Sequence, residues 1–99
     1  ITGNTLLADP NPARLSAMRD RFRVAECVQD YRELGGKVDG VIVATPPSSH
    51  YAICKWFLER GIDVLCEKPL TESISEAEEL VRIADQLGAH LAVNQTRRF

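Results

Sequence analysis

Gly40-Val41-Ile42-Val43-Ala44 is apolar at every position. Strict alternation of apolar and polar residues marks a strand with one wet face. An unbroken apolar run stopped by Thr45-Pro46-Pro47 is expected instead of a strand covered by helices on both faces of a parallel sheet. Parallel neighbours need crossover connections, so helical segments should alternate with strands along the chain.

The rest of the sequence meets that demand. Thr5-Leu6-Leu7-Ala8 reads as a short strand ending at Asp9. Asn11 is suited to cap a helix that starts at Pro12, since proline fits the first helical position. Leu15, Met18 and Phe22 then share one helical face. Ala25 to Val28 reads as a weak strand. Asp30 is placed to cap a short helix through Leu34, ended by Gly35-Gly36. After the strand at Gly40, Ser48 or Ser49 is expected to start a helix with Ile53, Cys54, Phe57 and Leu58 on one stripe. Gly61 is placed to end it. Ile62 to Cys66 is the next strand. Ser73 and Ser75 each head an S-x-x-E capping box, and Ile74, Ala77, Leu80, Val81, Ala84 and Leu87 form the apolar face of the helix behind them. Gly88 ends that helix, and Ala89 to Val93 is a last strand containing His90. The reading is an α/β fold with a doubly wound parallel sheet.

Composition excludes several classes. Hydrophobic residues make up 44% and charged residues 26% of the 99, a globular balance for one domain rather than a disordered tail. The formal net charge of −2 gives no electrostatic case for a nucleic-acid or anionic-membrane partner. No apolar run exceeds four residues, which excludes a membrane span or signal core in this stretch. The three cysteines, Cys27, Cys54 and Cys66, form no C-x-x-C pair. They read as reduced, buried small hydrophobes in a cytoplasmic protein. No cluster has metal-ligand spacing, so no metal is expected. The chain starts at Ile1, which reads as processing or as a missing front.

In doubly wound sheets, ligands bind at the carboxyl ends of the strands. Four polar sites fall there: Asp9, the Thr45 to His50 loop, Glu67-Lys68-Pro69, and Asn94 onward. A carboxylate at Asp9 can accept both hydroxyls of an adenosine ribose; the alternative is a turn or capping aspartate. The helix start behind Thr45-Pro46 suits an anion or carboxamide, and His50 either reaches a ligand or packs. Lys68 can polarise a substrate hydroxyl or stabilise an alkoxide. Glu67 can hold Lys68 charged or touch a cofactor, unless the two form a plain surface ion pair. Pro69 makes a cis Lys-Pro bond available. Asn94, Arg97 and Arg98 are either a site or a solvated connector. No G-x-G-x-x-G phosphate loop occurs anywhere in the sequence.

Three segments in order carry a resemblance. They are Val38-Asp39-Gly40-Val41-Ile42-Val43-Ala44-Thr45-Pro46-Pro47-Ser48-Ser49-His50, Gly61-Ile62-Asp63-Val64-Leu65-Cys66-Glu67-Lys68-Pro69-Leu70, and Asn94-Gln95-Thr96-Arg97-Arg98-Phe99. From about Leu6 to Phe99 the chain resembles the glucose–fructose oxidoreductase / inositol dehydrogenase / rhizopine-catabolism (Gfo/Idh/MocA) family. The resemblance implies a Rossmann domain and hydride transfer between a nicotinamide and a sugar, cyclitol or related alcohol or carbonyl. It implies NAD as cofactor, with NADP as the variant, because Asp9 matches the ribose acid. Thr45, Pro46 and His50 match the loop beside the cofactor. Glu67 matches a position near the nicotinamide, and Lys68 is the motif lysine at the substrate. Asn94 with Arg97 or Arg98 matches the substrate side.

The family's first strand, its glycine-rich loop and its second domain have no counterpart in these residues. Residues 1–99 then read as the second to sixth strands of a Rossmann domain, with the intact protein a homo-oligomer. On that expectation the fragment alone is inactive, and the strands at Leu6 and Val41 each lack a neighbour. The alternative function is a non-catalytic NAD(P)-binding regulator on the same fold. An unrelated flavodoxin-like domain is a third option.

Overall fold

The computed structural model describes residues 5–22 and 26–94. These fall into two compact units, one up to Val38 and one from Asp39 onward. All strand pairing is parallel and lies within a unit.

In the first unit, β1 (Leu6–Ala8) pairs with β2 (Glu26–Val28), and α1 (Pro12–Phe22) connects them. The ladder continues one step further, where the Asp9 amide donates to the Val28 carbonyl. Asn11 starts α1 as expected: its side-chain oxygen accepts from the amides of Ala13 and Arg14 at 2.9 and 3.2 Å. Leu15 on this helix is buried and Met18 half-buried. The side chain of Phe22 and all of Ala25 lie outside the described residues. Asp30 caps a 3-10 turn over Tyr31–Leu34 by accepting from the Arg32 amide, and the Arg32 guanidinium, then that amide, hold the Asp30 carboxyl pKa below its ordinary value.

In the second unit the strand order is β3 (Gly40–Val43), β4 (Asp63–Glu67), β5 (Leu91–Asn94). The crossovers are α2 (Pro47–Leu58) and α3 (Ile74–Leu87). The core is Val43, Val64 and Cys66 on the strands against Cys54, Phe57 and Leu58 of α2 and Leu80 and Ala84 of α3. Burial drives the Cys54 and Cys66 thiols upward in pKa, so both stay protonated and behave as small apolar groups. All three cysteines are free thiols, with Cys27 only half-buried.

Three local expectations are corrected. The run at Gly40 is not covered on both faces among the described residues, because Ile42 is 73% exposed. Both α2 and α3 pack on the same face of the strands and against each other. Serines do not cap α2: Pro46 occupies the cap position with no side-chain bond, and Pro47 supplies the first helical residue. Only the middle of the α3 apolar arc is buried. Leu80 and Ala84 face the core, whereas Ile74, Val81 and Leu87 are exposed because they flank that arc.

Other expectations agree. Ser73 caps α3 by accepting from the Glu76 amide. Gly88 closes that helix at φ 70°, and Gly61 follows α2 at φ 72°, a left-handed conformation that suits glycine. The Lys68-Pro69 bond is cis. His90 precedes β5 rather than lying inside it. It is exposed, with its backbone amide donating to Asp63 at 2.8 Å.

Candidate functional site

The second unit brings two loops and one strand end to the carboxyl ends of β3, β4 and β5. Thr45 and Pro46 follow β3, Lys68 and Pro69 follow β4, and Asn94 ends β5. Register alone sets Glu67 directly beside Asn94. The Asn94 amide donates to the Glu67 carboxylate at 3.1 Å.

Glu67 therefore does not pair with Lys68, as one alternative had it. Glu67 is bonded across the register to Asn94 instead. Lys68 is exposed and has no hydrogen-bond or ion-pair partner among the described residues. A solvated ammonium at a strand end, fixed by a proline behind it, is available to a ligand oxygen.

His50 sits in the first turn of α2 and is only 1% exposed. Its Nε2 lies 2.7 Å from the Thr45 carbonyl and its Nδ1 2.8 Å from the Pro69 carbonyl. The ring is turned into the protein, between the two loops, with both nitrogens occupied. The sequence carried a signal for this burial. His50, Cys54, Phe57 and Leu58 are spaced i, i+4, i+7, i+8, so His50 continues the apolar stripe by one turn.

Ser49 and Tyr51 add two further contacts. The Ser49 hydroxyl lies 2.7 Å from the Thr45 hydroxyl and 2.8 Å from the Pro46 carbonyl, which stiffens the same loop. Tyr51 on α2 donates to Glu79 on α3, which holds the two helices together and lowers the Glu79 pKa. The Tyr51–Glu79 pairing joins residues 28 apart, a spacing that a linear sequence does not display.

In the first unit, Asp9 ends β1 and is half-buried. Its Oδ1 accepts from the Asn11 amide at 2.8 Å, and its Oδ2 lies 3.5 Å from Arg14 Nε. The turn role is thus realised, and the carboxylate keeps lone pairs for further donors. Arg97 and Arg98 lie outside the described residues. Among the described residues no group of three or more His, Cys, Asp or Glu is arranged to hold a metal ion. No helix among them is long and apolar enough to cross a membrane.

Taken by itself, the first unit offers the Asp9 carboxylate, an acceptor that suits ribose hydroxyls. In the second unit, the exposed Lys68 ammonium at the end of β4 suits an alcohol oxygen. A phosphate-binding glycine loop is not among these residues.

The chain is 35% identical over 94 residues to the rhizopine catabolism protein MocA of Rhizobium meliloti, covering 94% of this chain and 29% of that protein. It is 34% identical over 89 residues to the scyllo-inositol 2-dehydrogenase (NADP(+)) IolW of Bacillus subtilis, covering 88% and 25%. An oxidoreductase from Agrobacterium radiobacter, solved with NAD+, L-tartaric acid and magnesium, superposes with a TM-score of 0.87 at 27% identity, covering 92% and 27%. The chain spans less than a third of the length of the curated relatives it matches. Residues 4–95 match the family described as "Oxidoreductase family, NAD-binding Rossmann fold" (GFO_IDH_MocA), and the chain belongs to that family.

Proposed function

We propose that these residues are the second to sixth strands of the Rossmann domain of an NAD(P)-dependent dehydrogenase. Its substrate is a sugar, cyclitol or related alcohol or carbonyl. The phosphate loop and the substrate domain belong to other parts of the intact protein, a cytoplasmic homo-oligomer. The observation that carries the reading is Lys68, exposed and without a partner among the described residues, next to the Glu67–Asn94 pair at the end of β4.

In this reading Asp9 accepts from the adenosine ribose and favours NAD over NADP. Thr45 and Pro46 border the cofactor, with His50 in the same segment. Glu67 lies near the nicotinamide, which when bound accepts or returns the hydride. Lys68 donates to the reacting oxygen and stabilises the negative charge that grows there as the C–H bond breaks. An acid/base residue elsewhere in the protein takes the hydroxyl proton. Asn94 and Arg97 or Arg98 face the substrate.

The supporting comparisons are the cyclitol dehydrogenase activity named for one relative and the NAD+ bound to one neighbour. The test is to incubate the full-length protein with NAD+ or NADP+ and a panel of cyclitols and aldoses, scyllo-inositol included. Reduced nicotinamide should accumulate with at least one of them. Saturable NADH binding with no turnover across the panel would favour a non-catalytic binder.

A further inference from the structure

His50 is the one buried polar side chain in the described core, at 1% exposure. Burying an imidazole is unfavourable unless its polar atoms find partners. Here both nitrogens do, and both partners are backbone carbonyls of loops that follow neighbouring strands. Thr45 lies on the loop after β3 and Pro69 on the loop after β4. These are the same loops that carry Thr45-Pro46 and Glu67-Lys68.

A side chain that bonds two loops fixes the distance between them. Among the described residues no other side-chain hydrogen bond joins the two loops. The β3–β4 ladder ends at Val43 and Cys66, before either loop begins. Beyond that point His50 links the loops, beside the packing of α2, which follows Pro46 directly, on β4. Carbonyls are acceptors only, so each link requires a ring N–H. A neutral ring supplies only one and a doubly protonated ring supplies two, so the doubly protonated ring is the form in which both links hold together.

We infer that His50 is a positioning residue that clamps the Thr45-Pro46 loop to the Lys68-Pro69 loop, so that Lys68 is held at a fixed place relative to the cofactor loop. The inference rests on the proposed role of Lys68, and it gives His50 a role that requires no contact with cofactor or substrate. The clamp extends further. Pro69 is two residues from Glu67, which in turn is bonded to Asn94 on β5. Side-chain bonds thereby connect the carboxyl ends of all three strands of the second unit.

Hydrogen exchange on the full-length protein tests this, with His50→Leu, His50→Gln and His50→Asn. His50→Leu removes both donors. It should raise exchange about tenfold or more in Thr45–Ser49 and in Glu67–Thr71 together, with β4 and the interior of α2 still protected. His50→Gln and His50→Asn each keep one side-chain donor group and should restore protection to one loop. If His50→Leu does not fold, the Gln and Asn variants decide by the same one-loop pattern. NADH affinity, followed by its fluorescence, should weaken in the order wild type, Gln or Asn, Leu. Unchanged exchange at both loops would overturn the clamp. So would a uniform rise across α2, β3 and β4, which marks simple loss of packing. If wild-type protein fails to bind NADH, the cofactor reading fails, while the exchange pattern still decides the clamp.

Discussion

The Asn94 amide donates to the Glu67 carboxylate at 3.1 Å, across the last register pair of β4 and β5. Two residues that read as separate loop candidates in the sequence are thus one unit. Removing the donor leaves a half-buried carboxylate short of a partner. Asn94→Ala in the full-length protein should lower stability by about 0.5–1.5 kcal/mol in urea titrations. Asn94→Asp should cost more at pH 7, because two carboxylates then face each other. Its extra loss should shrink in acid, where one of the two is neutral. Equal losses for Ala and Asp at pH 7 would show that this contact does not matter.

Asp9 offers a way to separate turn chemistry from cofactor choice. Its Oδ1 holds the Asn11 amide, and Arg14 lies beside Oδ2. Asp9→Asn keeps an acceptor oxygen for the turn and removes the charge that repels a 2′-phosphate. Arg14 is then free to meet that phosphate. The ratio of kcat/KM for NAD to that for NADP should fall by about tenfold or more, with melting temperature nearly unchanged. An unaltered ratio would remove Asp9 from cofactor discrimination.

Asp63 gives a pH-dependent expectation. The His90 amide, and then the His90 ring, hold its carboxyl below the ordinary value of 3.8. A lowered carboxyl pKa contributes stability above the ordinary range, and that contribution is lost as pH falls through the lowered value. Asp63→Ala should therefore reduce the urea midpoint at pH 7 by more than at pH 3. A gap that stays constant with pH would contradict this.

Local signals were legible where one residue type serves one local need. The Asn11 and Ser73 caps, the glycines at 61 and 88, and the strand at Gly40 follow from short-range chemistry. What escaped depends on which element packs where. The exposure of Ile42 follows from both crossover helices sharing one face, which a single strand cannot display. Glu67 was open between Lys68 and a cofactor, and its partner is 27 residues away on the neighbouring strand. The sequence leaves His50 open between reaching a ligand and packing. Its burial needed the α2 stripe to be extended by one turn.

The most direct test of the account is Lys68→Ala in the full-length protein, measured as turnover and as NADH affinity side by side. Lys68 is exposed and without an internal partner, so its loss should leave the fold intact. If it stabilises charge at the reacting oxygen, kcat should fall by about 100-fold or more. The dissociation constant for NADH should change by less than about threefold. Turnover at the wild-type rate would contradict the assignment of Lys68 to the reacting oxygen.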